Sequence, residues 1–169
     1  MSGNRPREAN MRTTMLFIAI ALTAAPSGQL MADEVSVERG LYVSIIGGCH
    51  DCHTEGYSQS YGKIDPSKAL KGSSIGLRGP WGTAYPKNLR PTAYIRDEEQ
   101  YVEFMKSLRT SLPMPSYNVN AMQESDLRSL YRYINSLGEP GKTPPFYVLP
   151  TEEPKTPYIT VWPPTMPKS

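Results

Sequence analysis

Residues 47–54 read GGCHDCHT, and this stretch contains both cysteines and both histidines of the chain. Cys49, His50, Cys52 and His53 fall within five consecutive positions. A structural zinc ion needs four ligands in a tetrahedron, normally two pairs from separated pieces of chain, so one short segment does not suit it. The chemistry of this stretch therefore has to use two thiols and an imidazole on a single turn of chain.

Two other chemistries use cysteines three residues apart. A thioredoxin-like dithiol would use Cys49 and Cys52 after a strand, and the preceding LYVSII (41–46) contains residues that favour strands. However, no later alternation of strands and helices predicts the sheet of that class. The pattern C-x-x-C-H is also the signature of covalent haem attachment, in which both cysteines form thioethers and His53 is an axial iron ligand. We favour haem, with His50 as a spacer that points elsewhere.

The first 32 residues are typical of an export signal. Three arginines precede the apolar run MLFIAIALTAA (15–25), and Ala32 precedes an acidic pair. Eleven apolar residues are too few to span a bilayer as a helix. We expect cleavage after Ala32, with Met11 as a possible alternative start and an uncleaved anchor as the alternative interpretation.

Charge and cysteine spacing exclude some partners and bonds. Residues 33–169 contain fifteen basic and fifteen acidic side chains, and this balance argues against a nucleic-acid partner. An exported pair of cysteines would ordinarily suggest a disulfide. A bridge between Cys49 and Cys52 would close so small a loop that it would add little stability, which favours another use.

Three stretches predict helices, at residues 36–48, 96–110 and 124–138. Ser36 and Asp97 can cap the first two, and Gly138 stands where the third should end. Apolar stripes support the last two: Tyr101, Phe104, Met105 and Leu108, and then Leu127, Leu130, Tyr131, Ile134 and Leu137. In the first stretch, the run LYVSII leaves a strand as an alternative.

The remaining segments have no sustained periodicity. Residues 54–96 predict a long loop region, which is uncommon unless the loop packs against something such as a haem. Residues 139–169 contain nine prolines and still carry large apolar side chains: Phe146, Tyr147, Tyr158, Ile159 and Trp162. We expect this tail to lie extended across its own domain or a partner. The predicted organisation is a signal (1–32), one domain (33–138) and the tail (139–169).

Residues 35–138 resemble the class I c-type cytochromes, particularly bacterial exported single-haem domains that serve dehydrogenases and respiratory chains. The resemblance is carried by ERGLYVSIIGGCHDCHT (38–54), RGPWGTAYPKNLRP (78–91) and LPMPSYNVNAMQESDLRSLYRYINSL (112–137). It implies an all-α fold of three to five helices around one covalent haem c. It also implies that the first and last helices cross, where Gly40 would let Tyr131 approach closely. The tail lies outside the family pattern.

A closed electron carrier needs a second axial ligand on the iron, and no histidine is left to supply it. Methionine is the soft alternative. Beyond the signal the candidates are Met105, Met114, Met122 and Met166. Met105 lies on an apolar stripe and suits a core position. Met114 stands between two prolines that stiffen its loop, and it matches the family's P-M-P segment, so it is the first candidate and Met122 the second.

Polar groups around the haem are also predicted. Haem propionates need hydrogen-bond donors, and the candidates in the middle segment are Trp81, Tyr85, Asn88 and Arg90. An ordinary aromatic loop with a solvated arginine is the alternative. His53 should donate its second ring nitrogen to a backbone carbonyl, for which Pro66 and Pro80 are the candidates.

The expected function is periplasmic electron transfer, in which the haem iron cycles between Fe(II) and Fe(III) and no substrate is transformed. The expected partners are redox proteins, with a dehydrogenase as donor and a respiratory acceptor. Membrane contact is expected only through a partner or an uncleaved signal. The alternatives are a haem sensor or small haem enzyme with an open sixth position, and, further away, a thiol oxidoreductase.

Overall fold

The computed structural model describes residue 3 and residues 34–161, so the predicted signal, Trp162 and Met166 lie outside the described residues. The described chain forms six helices and three short strands. The helices are α1 (Val37–Ile46), α2 (Cys49–His53), α3 (Arg90–Tyr94), α4 (Glu98–Lys106), α5 (Ser116–Ala121) and α6 (Glu124–Ser136). The strands are β1 (Gly76–Gly79), β2 (Gly82–Ala84) and β3 (Tyr158–Thr160). No helix within the described part is long and apolar enough to cross a membrane.

Helix α1 begins where its cap was predicted. The Ser36 hydroxyl accepts a hydrogen bond from the backbone N–H of Arg39 at 3.0 Å, which satisfies one of the unpaired donors of the first turn. The helix ends at Ile46, and Gly48, at a φ of +69°, separates it from α2. The strand alternative for LYVSII is therefore wrong, and the helix prediction is confirmed.

Helices α1 and α6 cross in close contact at Gly40. A Cβ atom on Gly40 would lie 2.6 Å from Cβ of Tyr133 and even closer to the carbonyl oxygen of Ser129, so only glycine fits. Arg39 pairs with Asp126 at 2.8 Å beside this point. The crossing is as expected but its aromatic partner is not. Tyr131 turns away from α1 and packs against Tyr101, with ring centroids 5.4 Å apart.

The core lies between α4, α5 and α6. Asp97 caps α4 through a reciprocal pair of bonds with Gln100, and α4 ends four residues earlier than predicted. Helix α6 begins at Glu124 without a side-chain cap, and Gly138, at a φ of +76°, follows its end. The core contains Leu70, Ala93, Tyr101, Val102, Met105, Val119, Leu127, Leu130, Tyr133 and Ile134. The two predicted stripes thus pack against each other, and Met105 is a core residue.

A small sheet corrects the expectation of an all-α fold, because the described chain is only mostly helical. Strand β1 pairs antiparallel with β2 and parallel with β3, giving the order β2-β1-β3. The first two strands lie inside the segment that was expected to be a loop. They are three or four residues long and rich in glycine, so they leave no periodic pattern in the sequence.

The described part of the tail lies on its own domain. Thr83 and Val148 exchange two backbone hydrogen bonds, and β3 adds the third strand to the sheet. The hydroxyls of Tyr85 and Thr156 bond at 2.7 Å. The extended docking predicted for the tail is therefore confirmed for residues 139–161, with the domain itself as the surface.

Candidate functional site: the Cys49–His53 helix

The two cysteines occupy one turn of helix α2. Cys49 packs against the hydrophobic core and Cys52 is exposed, and the two thiols are not bridged. Gly47, just before this helix, is closely packed: a Cβ atom there would lie 2.8 Å from the carbonyl oxygen of Val43, 3.0 Å from Cε of Met122 and 3.8 Å from Sγ of Cys49. The Cys49 thiol and the Met122 side chain therefore lie on the same side of this turn.

Both thiols are held in the protonated form. Burial raises the pKa of Cys49 to about 11, and burial also raises the pKa of Cys52. Redox-active dithiols have a lowered pKa, because the thiolate is the attacking species. This helix therefore has the opposite of the electrostatics that a thiol oxidoreductase needs.

His53 is anchored through one ring nitrogen. Its Nδ1 donates to the carbonyl oxygen of Lys87 at 2.7 Å, and the side chain is buried. Burial lowers the pKa of His53, so the ring is neutral, and the proton on Nδ1 leaves Nε2 as the nitrogen with a lone pair for a metal. The predicted type of bond is present, but neither Pro66 nor Pro80 supplies the acceptor. The carbonyl of Pro66 instead accepts a bond from Arg90.

His50 uses both ring nitrogens in bonds to the protein. The Ser44 hydroxyl donates to the carbonyl of Leu41, so it accepts from His50 Nε2 at 3.0 Å. Burial lowers the pKa of His50 to about 4, so the ring is neutral and Nδ1 accepts from the Thr54 hydroxyl at 2.7 Å. This buried histidine joins α1 to the chain that follows α2, and neither nitrogen is left for a metal.

Two methionines pack against the same core as Cys49. Met114 and Met122 are both partly buried there. The carbonyl of Met114 accepts from the N–H of Ser116 at 2.9 Å and from the Thr110 hydroxyl at 3.1 Å, which closes the loop around it. Met122 lies beside Gly47, and its carbonyl accepts a bond from Lys106. Both remain candidates for an axial ligand.

Trp81 and Tyr85 keep weak or shared hydrogen bonds. The indole N–H of Trp81 reaches the carbonyl of Leu77 at 3.3 Å, and Tyr85 shares its hydroxyl with Thr156. The Tyr85 hydroxyl can accept from Thr156 and donate to another acceptor, whereas the single N–H of Trp81 would have to leave the Leu77 carbonyl to do so.

Asn88 and Arg90 differ from the expectation because their donors meet backbone carbonyls. The guanidinium of Arg90 is buried and donates to the carbonyls of Pro66, Ala69, Leu137 and Glu139. The amide of Asn88 donates to the carbonyls of Pro140 and Lys142. These two side chains tie the tail and the end of α6 to the segment that carries the acceptor for His53.

Tyr101 is a polar residue of the core that the sequence did not single out. It is fully buried, and its hydroxyl has no hydrogen-bond partner among the described residues. Burial raises its pKa well above the usual range, and the nearby Cys49 thiol acts in the same direction. A buried hydroxyl without a partner is costly, so this position fits a bound group that accepts a hydrogen bond from it. One tyrosine in an apolar stripe gives no signal of this in a sequence.

Comparison with known proteins points to one kind of subunit. The chain is 27% identical to the cytochrome c subunit of an alcohol dehydrogenase (quinone) from Gluconacetobacter polyoxogenes, over 76% of this chain and 28% of that protein. It is 28% identical to the fructose dehydrogenase cytochrome subunit of Gluconobacter japonicus, over 83% and 30%. It is 26% identical to the gluconate 2-dehydrogenase cytochrome c subunit of Pantoea cypripedii, over 73% and 28%.

These matches cover most of this chain but less than a third of each relative. No protein-family model matches the chain, and no solved structure matches it either. The chain is therefore similar to one part of the cytochrome subunits of dehydrogenases. In this chain the C-x-x-C-H motif is formed by residues 49–53.

Proposed function

We propose that this chain is a periplasmic electron carrier with one covalently bound haem c, of the class I type. The observation that carries the proposal is helix α2, where Cys49 and Cys52 share one turn and His53 is anchored through Nδ1 with Nε2 left for the iron. When bound, the haem supplies an iron that alternates between Fe(II) and Fe(III). The similarity to cytochrome subunits of dehydrogenases supports the same function.

Each residue of the motif has a separate role in this proposal. Cys49 and Cys52 would hold the haem covalently through thioethers. His53 would ligate the iron, and its bond to the Lys87 carbonyl fixes the plane of the ring and makes the nitrogen a better donor. His50 holds the helix in place through Ser44 and Thr54.

We propose Met114 as the second axial ligand, with Met122 as the alternative. A thioether favours Fe(II) relative to an imidazole, and this raises the reduction potential. Pro113 and Pro115 limit the freedom of the Met114 backbone, and the bonds to its carbonyl limit it further. A ligand held by a stiff loop changes little when the charge of the iron changes. Trp81 and Tyr85 are the proposed donors to the propionates, while Asn88 and Arg90 hold the surrounding chain.

We propose a dehydrogenase as the electron donor and a respiratory component as the acceptor. The relatives are named as cytochrome subunits of alcohol, fructose and gluconate dehydrogenases, which supports a subunit that passes electrons and does not itself transform a substrate. The export signal expected at residues 1–32 places the chain in the periplasm in this proposal.

A haem sensor or small haem enzyme is the competing function, and carbon monoxide binding separates it from the proposal. A closed carrier binds carbon monoxide slowly or not at all when reduced at neutral pH, because both axial positions are taken. Rapid, stoichiometric binding by the wild-type protein would contradict the proposed electron carrier. The raised pKa values of both thiols already disfavour the thiol oxidoreductase.

Replacement of the two methionines tests the second ligand. Met114→Ala is expected to keep the haem attached but to open the iron, lower the reduction potential and allow carbon monoxide to bind. Met122→Ala is the matched control and should leave all three unchanged. If the Met114 variant keeps a low-spin spectrum and the ferric iron–methionine charge-transfer band, Met114 is not the ligand and Met122 takes its place.

A further inference from the structure

The carbonyl that accepts from His53 belongs to a segment of chain that is bonded on both sides. Lys87 provides the acceptor, at 2.7 Å from Nδ1 of His53. On the side of the domain, the loop at residues 70–73 holds this segment. Leu89 N–H donates to the Leu70 carbonyl at 2.9 Å, and Ser73 N–H donates to the Pro86 carbonyl at 3.2 Å.

The other side of the segment is held by the tail. The buried Asn88 amide donates to the carbonyls of Pro140 at 2.6 Å and Lys142 at 3.1 Å. The Asn88 side-chain oxygen accepts from the N–H of Arg90 at 3.0 Å, so the amide orientation is fixed from both ends. The residue next to the His53 acceptor is thus the residue that binds the tail.

Close packing at Gly72 leaves this junction little freedom. A Cβ atom on Gly72 would lie 2.5 Å from Cγ of Pro144, 2.5 Å from the carbonyl oxygen of Pro86 and 2.9 Å from the backbone nitrogen of Asn88. The N–H of Gly72 also donates to the carbonyl of His53 at 2.8 Å. The tail therefore packs directly against Gly72 and against the segment that contains Lys87. No one of these three can move without the others.

We propose that the proline-rich tail positions the Lys87 carbonyl for His53, with Asn88 as the positioning residue that connects the two. This inference rests on the proposed function, in which His53 binds the iron. A hydrogen bond from Nδ1 to a carbonyl makes the imidazole a stronger donor to a metal, which stabilises Fe(III) and holds the reduction potential down. Loss of the hydrogen bonds from Asn88 to the tail lets the Lys87 carbonyl move. The bond from His53 then weakens, and the reduction potential of the iron rises.

A tail that only covers the domain predicts the opposite sign. If the tail merely keeps water away from the haem, loosening it increases the exposure of the iron site to water. Water stabilises the more highly charged Fe(III) form, so the potential would fall. The direction of the shift therefore distinguishes a positioning role from simple coverage.

The test is the reduction potential of full-length, haem-loaded Asn88→Ala. The expected result is a rise that corresponds to an approximately tenfold change in the Fe(III)/Fe(II) equilibrium, which is 59 mV for one electron. The His53 Nδ1 proton should also exchange with solvent about tenfold faster by NMR. Glu153→Ala is the matched control, because it removes the tail's ion pair with Arg78 and leaves Asn88 and the proposed haem-binding residues untouched.

An unchanged or lowered potential in Asn88→Ala, or an equal rise in Glu153→Ala, would overturn the inference. If Asn88→Ala does not accumulate, the double variant Pro144→Ala and Phe146→Ala loosens the tail from its own side. It should give a smaller shift in the same direction, and no shift would overturn the inference as well. Absence of covalent haem in the wild-type protein would refute the proposed function instead, so the two failures are distinguishable.

Discussion

The helical region and the loop-and-tail region are stabilised in different ways. The helical region (α1, α4, α5 and α6) buries side chains against side chains around Leu127, Leu130 and Ile134. The loop-and-tail region (residues 54–90 and 139–161) is held by polar bonds, many of them to backbone carbonyls, as at Arg90 and Asn88. A segment without hydrophobic periodicity can therefore still hold one conformation, provided that buried donors satisfy its backbone carbonyls.

The largest effect is expected in the helical region, from Gly40→Val. A Cβ atom at this position clashes with Ser129 and Tyr133, and both helices would have to separate. The expected loss in the free energy of unfolding is about 4 kcal/mol or more, at the upper end for overpacking. Urea unfolding measures it. Glu38→Ala, on the exposed side of the same helix, is the control and should change stability by less than about 0.5 kcal/mol. A Gly40 variant as stable as this control would show that the helices do not meet there.

A slightly smaller effect is expected in the loop-and-tail region, from Arg90→Met. Methionine fills similar space but leaves four carbonyls without their donor, and the expected cost in unfolding free energy is about 3 kcal/mol. The exposed Arg109 gives the matched control in Arg109→Met, which should be nearly neutral. Similar small losses in both variants would mean that the loop-and-tail region does not depend on its buried guanidinium.

His50 connects the two regions, and it should make the stability depend on pH. Because burial lowers its pKa from 6.5 to about 4, the unfolded chain takes up a proton before the folded chain as the pH falls. The folded state should therefore lose stability between about pH 6.5 and about pH 4 and change less below that. His50→Gln removes this contribution, so its urea midpoint should fall less over the same range. Parallel pH curves for the two proteins would exclude His50 as the titrating group.

Patterns within one segment of chain predicted much of the helical region. Ser36 and Asp97 cap their helices as expected, since a cap and its acceptor lie within a few residues of each other. The residue that contacts Gly40 was harder to predict, because the sequence shows that α6 is amphipathic but not which part of α6 meets α1. Ser129 and Tyr133, four residues apart, form that contact, while Tyr131 lies on another side of the helix.

Contacts between distant segments could not be predicted in the same way. Strand β3 pairs with β1 across more than 70 residues, and Arg90 meets carbonyls from two separate stretches, residues 66–69 and 137–139. Backbone carbonyls are present at every residue, so nothing in a sequence marks the ones that Arg90 or His53 selects. The prediction that His53 bonds to a backbone carbonyl was correct, whereas neither of the two candidate acceptors, Pro66 and Pro80, is the one that His53 uses. The roles of Cys49, Cys52, His53 and Met114 stay predictions.

Detection of haem after denaturation shows directly whether helix α2 carries haem through covalent bonds. The full-length protein is produced with the cytochrome c maturation machinery, separated on a denaturing gel and stained for haem. We expect haem to stay on the wild-type chain, at one per chain by absorbance of the denatured protein, and to be lost in the double variant Cys49→Ser and Cys52→Ser. Haem that leaves the wild-type chain on denaturation, or that stays on the double variant, would show that Cys49 and Cys52 do not hold it.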